Sequence, residues 1–211
     1  MIWLLEHGIS NVPSSWKEWV NDGIQYVHLN TPDKAQGLFY FTTPFTVFMR
    51  ERERMQSFSE MLTGYARAGQ KIGGIAHSNG TRVMVNGAAA ARWPAMEVMH
   101  LMCGACDSDF ERLGLNYALK TGSLRQVVVY VAGRDMAMRA ENWLGRWQFQ
   151  LPWGAKPLGL NGPTNVNAKF LGNGRVRVVS MGRWLNFGHS DCWLPANFTQ
   201  TMREMVGPQT T

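Results

Sequence analysis

The chain has 211 residues, of which 45% are hydrophobic and 17% charged, enough for one well-filled core without a second domain. Its apolar runs are broken within about ten residues, whereas a membrane-spanning helix takes about 20, and its start, MIWLLEHG, has no basic leader typical of a signal peptide. The net charge of +6 comes from dispersed basic residues without an aromatic-and-basic motif, so we expect a soluble, cytoplasmic protein with no nucleic-acid partner.

The first part of the chain alternates short apolar runs with helical patterns. The run at 2–8 is typical of a buried strand, and a helix is predicted from near Pro13, followed by a second strand at 26–29. A loop then leads to a long helix, in which the charge-mixed run RERER at 50–54 is typical of a solvent-exposed face. The predicted core-facing stripes are Trp16, Trp19 and Val20 in the first helix and Met55, Phe58, Leu62 and Tyr65 in the second, which Gly69 is predicted to end.

The rest of the chain continues this alternation and contains its strongest strand. Residues 126–133, QVVVYVAG, are β-branched and nearly continuous, as in a fully buried parallel strand. Residues 148–174, which include Trp153, are rich in glycine, proline and asparagine and are predicted to form a loop insertion. The other predicted strands are 72–76, 96–103 and 176–181, and the predicted helices are 80–91, 109–122, 137–147 and one that begins at Pro195.

Strand–helix alternation over the whole chain predicts a single α/β domain, 1–211. Because each helix leads back to a parallel strand, we expect a mostly parallel sheet of about six strands with helices on both faces. In such a sheet, ligands bind at the carboxyl ends of the strands. The residues that directly follow each strand are therefore the candidates for a functional site.

Four of these strand exits carry residues that together suit nucleophilic catalysis. Ser78 follows strand 72–76, Asp135 follows strand 126–133, His189 follows strand 176–181, and His7-Gly8 follows the first strand. A serine hydroxyl is a poor nucleophile unless a base takes its proton, and an imidazole does this when a carboxylate orients it. Two backbone N–H groups must then hold the oxyanion that develops on the substrate, and the predicted donors are those of Asn79 and Ile9.

These motifs resemble those of the α/β-hydrolases, and the resemblance covers essentially the whole chain. That family carries its nucleophile in G-x-S-x-G, and the chain reads AHSNG at 76–80. The family's acid follows a later strand, as in GRD at 133–135, and its histidine comes last, as in GHS at 188–190. The oxyanion loop of the family often carries His-Gly, as at His7-Gly8. The resemblance implies a serine hydrolase acting on an ester, with Ser78 as nucleophile, His189 as base and Asp135 as acid, without metal or cofactor.

The chain departs from the family pattern at three points. Ala76 replaces the first glycine of the nucleophile motif, although a small residue is expected to fit there. The two antiparallel strands that commonly precede the oxyanion-loop strand have no counterpart, which implies a reduced sheet. Residues 148–174 are too few for a large helical lid.

Several assignments within this hypothesis stay open. Asp107 and Asp109 follow the preceding strand and are alternative acids to Asp135. An aromatic cluster between the acid and the last strand is interpreted either as a substrate wall or as a cover for the sheet edge. The candidates for the walls of the site are His7, His77, Trp143, Trp147 and Trp153.

Two other classes of function are alternatives to hydrolysis. One is a non-catalytic α/β-hydrolase-like binding or structural protein, since a fold does not fix a function. The other is a redox or metal protein, because CGAC at 103–106 has the spacing of half a zinc site. Three cysteines without a second pair favour free, buried thiols instead. The expected partner is a small-molecule, lipid or envelope ester, and the sequence does not choose between a housekeeping esterase and a phage-type enzyme.

Overall fold

The structure of the chain is a computed structural model, which describes residues 1–8, 15–38, 47–132, 135, 156–181 and 191–207. Strands and helices alternate along these residues. The strands are β1 (Ile2–Glu6), β2 (Lys34–Leu38), β3 (Ile72–His77), β4 (Met96–Met102), β5 (Leu124–Val131) and β6 (Val176–Ser180). The helices are α1 (Ser15–Asn30), α2 (Val47–Arg67), α3 (Gly80–Ala90), α4 (Leu115–Thr121), α5 (Leu158–Asn161), α6 (Ala168–Gly172) and α7 (Pro195–Val206), with a short 3-10 helix at Asp191–Trp193.

The six strands form one sheet in the order β2-β1-β3-β4-β5-β6. Every neighbouring pair is parallel, with Ile2 opposite both Lys34 and Ile72 and Val127 opposite Val176. The carboxyl ends of all six strands therefore lie along the same edge of the sheet. The predicted α/β fold, with a parallel sheet of about six strands and helices on both faces, is confirmed.

The alternation of side chains along β1 shows how the sheet buries both faces. Ile2 and Leu4 belong to the core cluster under α2, α3 and α4, whereas Trp3 and Leu5 belong to the cluster under α1 and α7. All four are at most 5% exposed, because successive side chains of a strand point to opposite faces and both faces are covered. Glu6 ends this strand and is also fully buried.

The predicted strand at 26–29 is wrong. Residues Tyr26 to Leu29 form the last part of α1, in which Val27 is buried against the sheet and Leu29 is 74% exposed. The strand comes later, at Lys34–Leu38, within the predicted loop. A run of four residues with mixed polarity is compatible with both the helical and the strand period, so the pattern at 26–29 could not decide between them. The strand β2 lies at the sheet edge, where its sequence KAQGL needs no apolar run.

The prediction of a solvent-exposed face for the run at 50–54 is also wrong for two of its five residues. Glu51 and Arg54 are buried, because they lie on the same face of α2 as Phe58 and extend its apolar stripe. Each has an oppositely charged partner: Glu51 pairs with Arg82 at 3.1 Å, and Arg54 pairs with Glu6. The spacing of apolar residues predicted which face of α2 is buried, but it did not predict that charged residues also lie on that face.

Other boundaries differ in smaller ways. The helix predicted at 109–122 spans only Leu115–Thr121, since the preceding residues form turns and Gly114 has a φ of +72°. The described part of the predicted loop at 148–174 contains α5 and α6. The helix predicted at 137–147 lies outside the described residues.

Among the residues that the structure describes, no helix is both long enough and apolar enough to cross a membrane.

Candidate functional site

Ser78 stands in the turn between β3 and α3, with a backbone conformation that is unusual for serine. Its φ is +55°, in the left-handed region that non-glycine residues occupy at a cost of roughly 1–2 kcal/mol. Hydrogen bonds hold the turn on both sides: the Ser78 N–H donates to the Met102 carbonyl at 3.0 Å, and the Ser78 carbonyl accepts from the Ala105 N–H at 3.1 Å and from the Thr81 hydroxyl at 2.6 Å. These bonds tie the strained turn to the end of β4.

Two glycines allow the chain to close around Ser78. A Cβ on Gly8 would lie 2.5 Å from the Cβ and 2.9 Å from the Oγ of Ser78, which is closer than real side chains approach. A Cβ on Gly80 would lie 2.5 Å from the Glu6 carbonyl oxygen and 2.6 Å from that of His7. Ala76, which stands at the first glycine position of the family motif, is fully buried within β3. The exit of β1 and the β3–α3 turn therefore meet without intervening side chains.

His7 is buried beside this contact and is neutral. Its Nδ1 lies 2.6 Å from the Gly8 carbonyl oxygen, which can only accept, so Nδ1 carries the proton. Burial lowers the pKa of His7 to about 4, and the positive charge of Arg54 acts in the same direction. The His7 side chain thus holds the backbone of the residue that touches Ser78.

A buried ion pair lies directly beneath His7. The side chains of Glu6 and Arg54 are both 0% exposed, and Nη2 of Arg54 donates to Oε1 of Glu6 and, at 2.8 Å, to the His7 carbonyl. Burial raises the pKa of Glu6 to about 7, although the guanidinium charge and its hydrogen bond act against this shift. One guanidinium therefore connects α2 to the last residue of β1 and to the loop that follows.

Asn79, a predicted oxyanion donor, caps the N-terminus of α3 and is fully buried. Its carbonyl accepts the Arg82 N–H at 3.1 Å, which starts the helix. Its side-chain amide forms no hydrogen bond within the described part of the chain.

Asp135 is fully buried beyond the end of β5, and its N–H donates to the Ala132 carbonyl at 2.9 Å. Its carboxylate accepts a hydrogen bond from the Cys103 thiol at the exit of β4. Burial raises the pKa of Cys103, and the nearby Cys192 and Asp135 raise it further, so the thiol stays a donor. Ser78 and Asp135 are thus both hydrogen-bonded to the same segment, residues 102–105.

The alternative acids Asp107 and Asp109 are engaged in the loop after β4. Asp107 accepts the Asp109 N–H at 3.1 Å and lies 3.6 Å from Arg112. Asp109 accepts the N–H groups of Glu111 at 3.0 Å and Arg112 at 3.2 Å and the Asn165 amide at 2.9 Å. These bonds fasten the loop to the segment before α6.

The three cysteines are free and buried. Burial also raises the pKa of Cys106, to about 11. Within the described ranges, no group of three or more His, Cys, Asp or Glu side chains could hold a metal ion.

Aromatic rings that the sequence did not assign to the site surround His77. Trp19 of α1 and Trp193 of the 3-10 helix stack with centroids 4.1 Å apart and planes 9° from parallel. The fully buried His77 ring meets both edge-on, at 6.5 Å from Trp19 and 5.8 Å from Trp193. The sequence does contain one indication for Trp193, because this residue comes only four positions after His189, the predicted base. The predicted site residues Ile9, Trp143, Trp147, Trp153 and His189 lie outside the described residues.

Comparison with known proteins gives a structural likeness only. No family model matches the sequence, and no curated protein matches it. A solved structure, carboxyl esterase 2 from the mycorrhizal fungus Tuber melanosporum, is similar with a TM-score of 0.54 over 97% of this chain and 76% of that chain, at 12% sequence identity. At this identity the likeness shows the fold alone, an α/β fold with a parallel sheet.

The left-handed conformation of Ser78 leads to a prediction about stability. We expect Ser78→Gly to be more stable than Ser78→Ala by about 1 kcal/mol, because only glycine adopts a positive φ without strain. Urea denaturation followed by circular dichroism measures the difference. Ala89, an exposed residue of α3, gives the control, since Ala89→Gly should destabilise the chain by about 0.5–1 kcal/mol. Equal stability of the two Ser78 variants would contradict a strained turn.

The raised pKa of Glu6 leads to a second prediction. The folded chain keeps the Glu6 proton up to about pH 7, whereas the unfolded chain loses it near 4.5, so the stability that this carboxyl contributes is complete below 4.5 and is lost as pH rises through 7. We therefore expect the stability of Glu6→Gln minus that of the unmodified chain to increase by up to about 3 kcal/mol as pH rises through that interval, on top of a pH-independent cost of leaving Arg54 without a carboxylate. Urea midpoints measured across the interval test this.

The exposed Glu53 of α2 provides the control for general charge effects, because Glu53→Gln should leave the slope of stability against pH unchanged. Parallel slopes for the unmodified chain and Glu6→Gln would contradict a raised Glu6 pKa.

Proposed function

We propose that the chain is a serine hydrolase that cleaves carboxylic esters through an acyl-enzyme, with Ser78 as nucleophile, His189 as base and Asp135 as acid. The observation that carries this proposal is the conformation of Ser78 at the carboxyl end of β3, with a φ of +55° and its Oγ against Gly8. A non-glycine residue persists in this region only where its surroundings determine it, and such residues concentrate at functional sites. The likeness of the fold to a carboxyl esterase supports the same reaction class.

The proposed reaction needs only the side chains named. The Ser78 Oγ attacks the ester carbonyl carbon as its proton passes to His189, and the alcohol leaves with that proton when the intermediate collapses. Water then attacks the acyl-serine, again giving its proton to His189, and the carboxylic acid and free Ser78 result. The negative charge on the carbonyl oxygen is met by the N–H groups proposed at Asn79 and Ile9. Asn79 suits this role because the first N–H groups of a helix have no intrahelical acceptor.

Two observations support Asp135 and His189 as the catalytic partners of Ser78. Asp135 is buried at the carboxyl edge of the sheet, whereas Asp107 and Asp109 already bind the loop that contains them. Cys192 lies close enough to Asp135 for that carboxylate to raise the pKa of its thiol, an effect smaller than that of burial. His189 comes three residues before Cys192, a stretch of chain that spans at most about 10 Å. This short sequence separation from Cys192 supports the proposed pairing of His189 with Asp135.

Replacement of the nucleophile is expected to abolish ester hydrolysis. Ser78→Ala should lower kcat for p-nitrophenyl esters, from acetate to palmitate, by roughly 10⁴–10⁶-fold, since the oxyanion donors and binding alone leave only a small residual rate. The chain-length profile of the unmodified protein would also size the acyl pocket. A fluorophosphonate probe should label the unmodified chain once and leave Ser78→Ala unlabelled.

The matched control is Ser59→Ala, on a partly exposed position of α2, which should keep full activity and labelling. An unmodified chain with neither hydrolysis nor labelling would contradict the proposal and indicate a non-catalytic binding protein. Equal rates for Ser78→Ala and the unmodified chain would exclude Ser78 as the nucleophile.

Replacement of the acid distinguishes Asp135 from its alternatives. Asp135→Asn keeps the shape of the side chain but removes the charge that orients and stabilises the protonated histidine, and we expect kcat to fall by about 10⁴-fold. Asp109→Asn should change kcat by less than about twofold, because its bonds serve the loop. The same ester assay measures both. A large loss in Asp109→Asn with an active Asp135→Asn would reverse the assignment.

A further inference from the structure

A charged pair replaces apolar packing where β1 meets the proposed oxyanion loop. The face of β1 that contains Ile2 and Leu4 is apolar and packs under helix residues such as Phe58, but its next residue is Glu6. The partner of Glu6 across this interface is Arg54, with no solvent exposure at either side chain. Apolar residues of similar volume at such a buried pair are often equally stable or more stable. Stability of the core therefore does not explain why charges stand here.

The contacts of Arg54 do suggest a reason. Nη2 of Arg54 also donates to the His7 carbonyl, at 2.8 Å, and Glu6 holds the guanidinium in place for that bond. The His7 carbonyl and the Gly8 N–H belong to one planar peptide group and point in opposite directions. Fixing the carbonyl towards α2 therefore fixes the orientation of the Gly8 peptide, against which the Ser78 side chain packs.

A second hydrogen bond fixes the orientation of the next peptide group along the chain. The protonated Nδ1 of His7 donates to the Gly8 carbonyl at 2.6 Å. That carbonyl shares its peptide plane with the N–H of residue 9, the donor proposed for the oxyanion. Two successive carbonyls after β1 are thus held by buried side chains, the first by Arg54 and the second by His7.

We propose that Arg54 and Glu6 are positioning residues for ester hydrolysis: the pair locks the peptide between His7 and Gly8 so that the oxyanion loop is oriented before the substrate binds. This inference rests on the proposed function. An oxyanion donor contributes through orientation that exists before reaction, and misplacement by about 1 Å can cost about 10²-fold in rate. Loss of the pair should therefore weaken binding of the transition state more than binding of the substrate.

The test replaces the whole pair, so that no buried charge is left alone. In Glu6→Leu/Arg54→Met, apolar groups fill the space, and we expect the urea midpoint to stay close to that of the unmodified chain while kcat falls by about 10- to 100-fold with KM changed less than about threefold. A trifluoromethyl ketone matched to the best ester forms a tetrahedral adduct with serine, and its inhibition constant should rise by the same factor as kcat falls. If the pair had a structural role alone, its replacement would change the urea midpoint but would leave kcat and the inhibition constant unchanged.

The matched control is another ion pair between α2 and a neighbouring element, Glu51 with Arg82 at 3.1 Å, whose side chains are 11% and 12% exposed. Glu51→Leu/Arg82→Met should leave kcat and the inhibition constant within about twofold. If the Glu6→Leu/Arg54→Met chain does not fold, Arg54→Lys decides the question, because its shorter side chain keeps the charge but reaches the His7 carbonyl poorly, and a kcat equal to that of the unmodified chain would overturn the proposal.

The outcomes separate this inference from the function on which it rests. An active unmodified chain with an equally active Glu6→Leu/Arg54→Met variant overturns the positioning role and leaves serine hydrolysis standing. An unmodified chain that neither cleaves esters nor reacts with a fluorophosphonate overturns both. A loss of kcat with an unchanged inhibition constant for the ketone also overturns the positioning role, because the oxyanion would then be held as before.

Discussion

The candidate site depends on one steric constraint, the absence of side chains at Gly8 and Gly80. A Cβ at either position would lie about 2.5 Å from Ser78 or from the end of β1, so larger residues would separate the segments that now touch. The turn is also hydrogen-bonded to Met102 on the neighbouring strand. This bond and the close contact together hold Ser78 in its left-handed conformation. Glycine is needed at both positions because any side chain would prevent the contact between the end of β1 and the Ser78 turn.

Buried polar groups in this fold concentrate at the carboxyl ends of the strands. Glu6 and His7 follow the apolar part of β1, His77 ends β3, and Asp135 lies beyond β5, all with at most 3% exposure. A structural core would place apolar residues there, as the same strands do along most of their length. Groups whose pKa is displaced by burial next to a specific charge, such as Glu6 beside Arg54, are typical of sites that do chemistry.

The sequence predicted what continuous apolar strands determine and missed what depends on distant partners. Strand exits were located because buried parallel strands are uninterrupted, and this placed Ser78 and Asp135 at one edge of the sheet. The burial of Arg54 was not predictable, because its partner Glu6 is 48 residues away and no local pattern connects them. The error at 26–29 has a different cause, since a four-residue run is compatible with either period.

Fold likeness and local geometry carry different parts of the functional argument. At 12% identity, the resemblance to a carboxyl esterase transfers no residue roles, and one fold serves many functions. What is specific to this chain is that two features unfavourable for stability meet at one place: the positive φ of Ser78 and the desolvated charges of Glu6 and Arg54. Neither is needed to cover a parallel sheet, as the apolar contacts of Ile2 and Leu4 of β1 with Phe58 and Leu62 of α2 show. This costly arrangement supports the proposed reaction, because strained residues concentrate at functional sites and an oxyanion donor acts through orientation that exists before the substrate reacts.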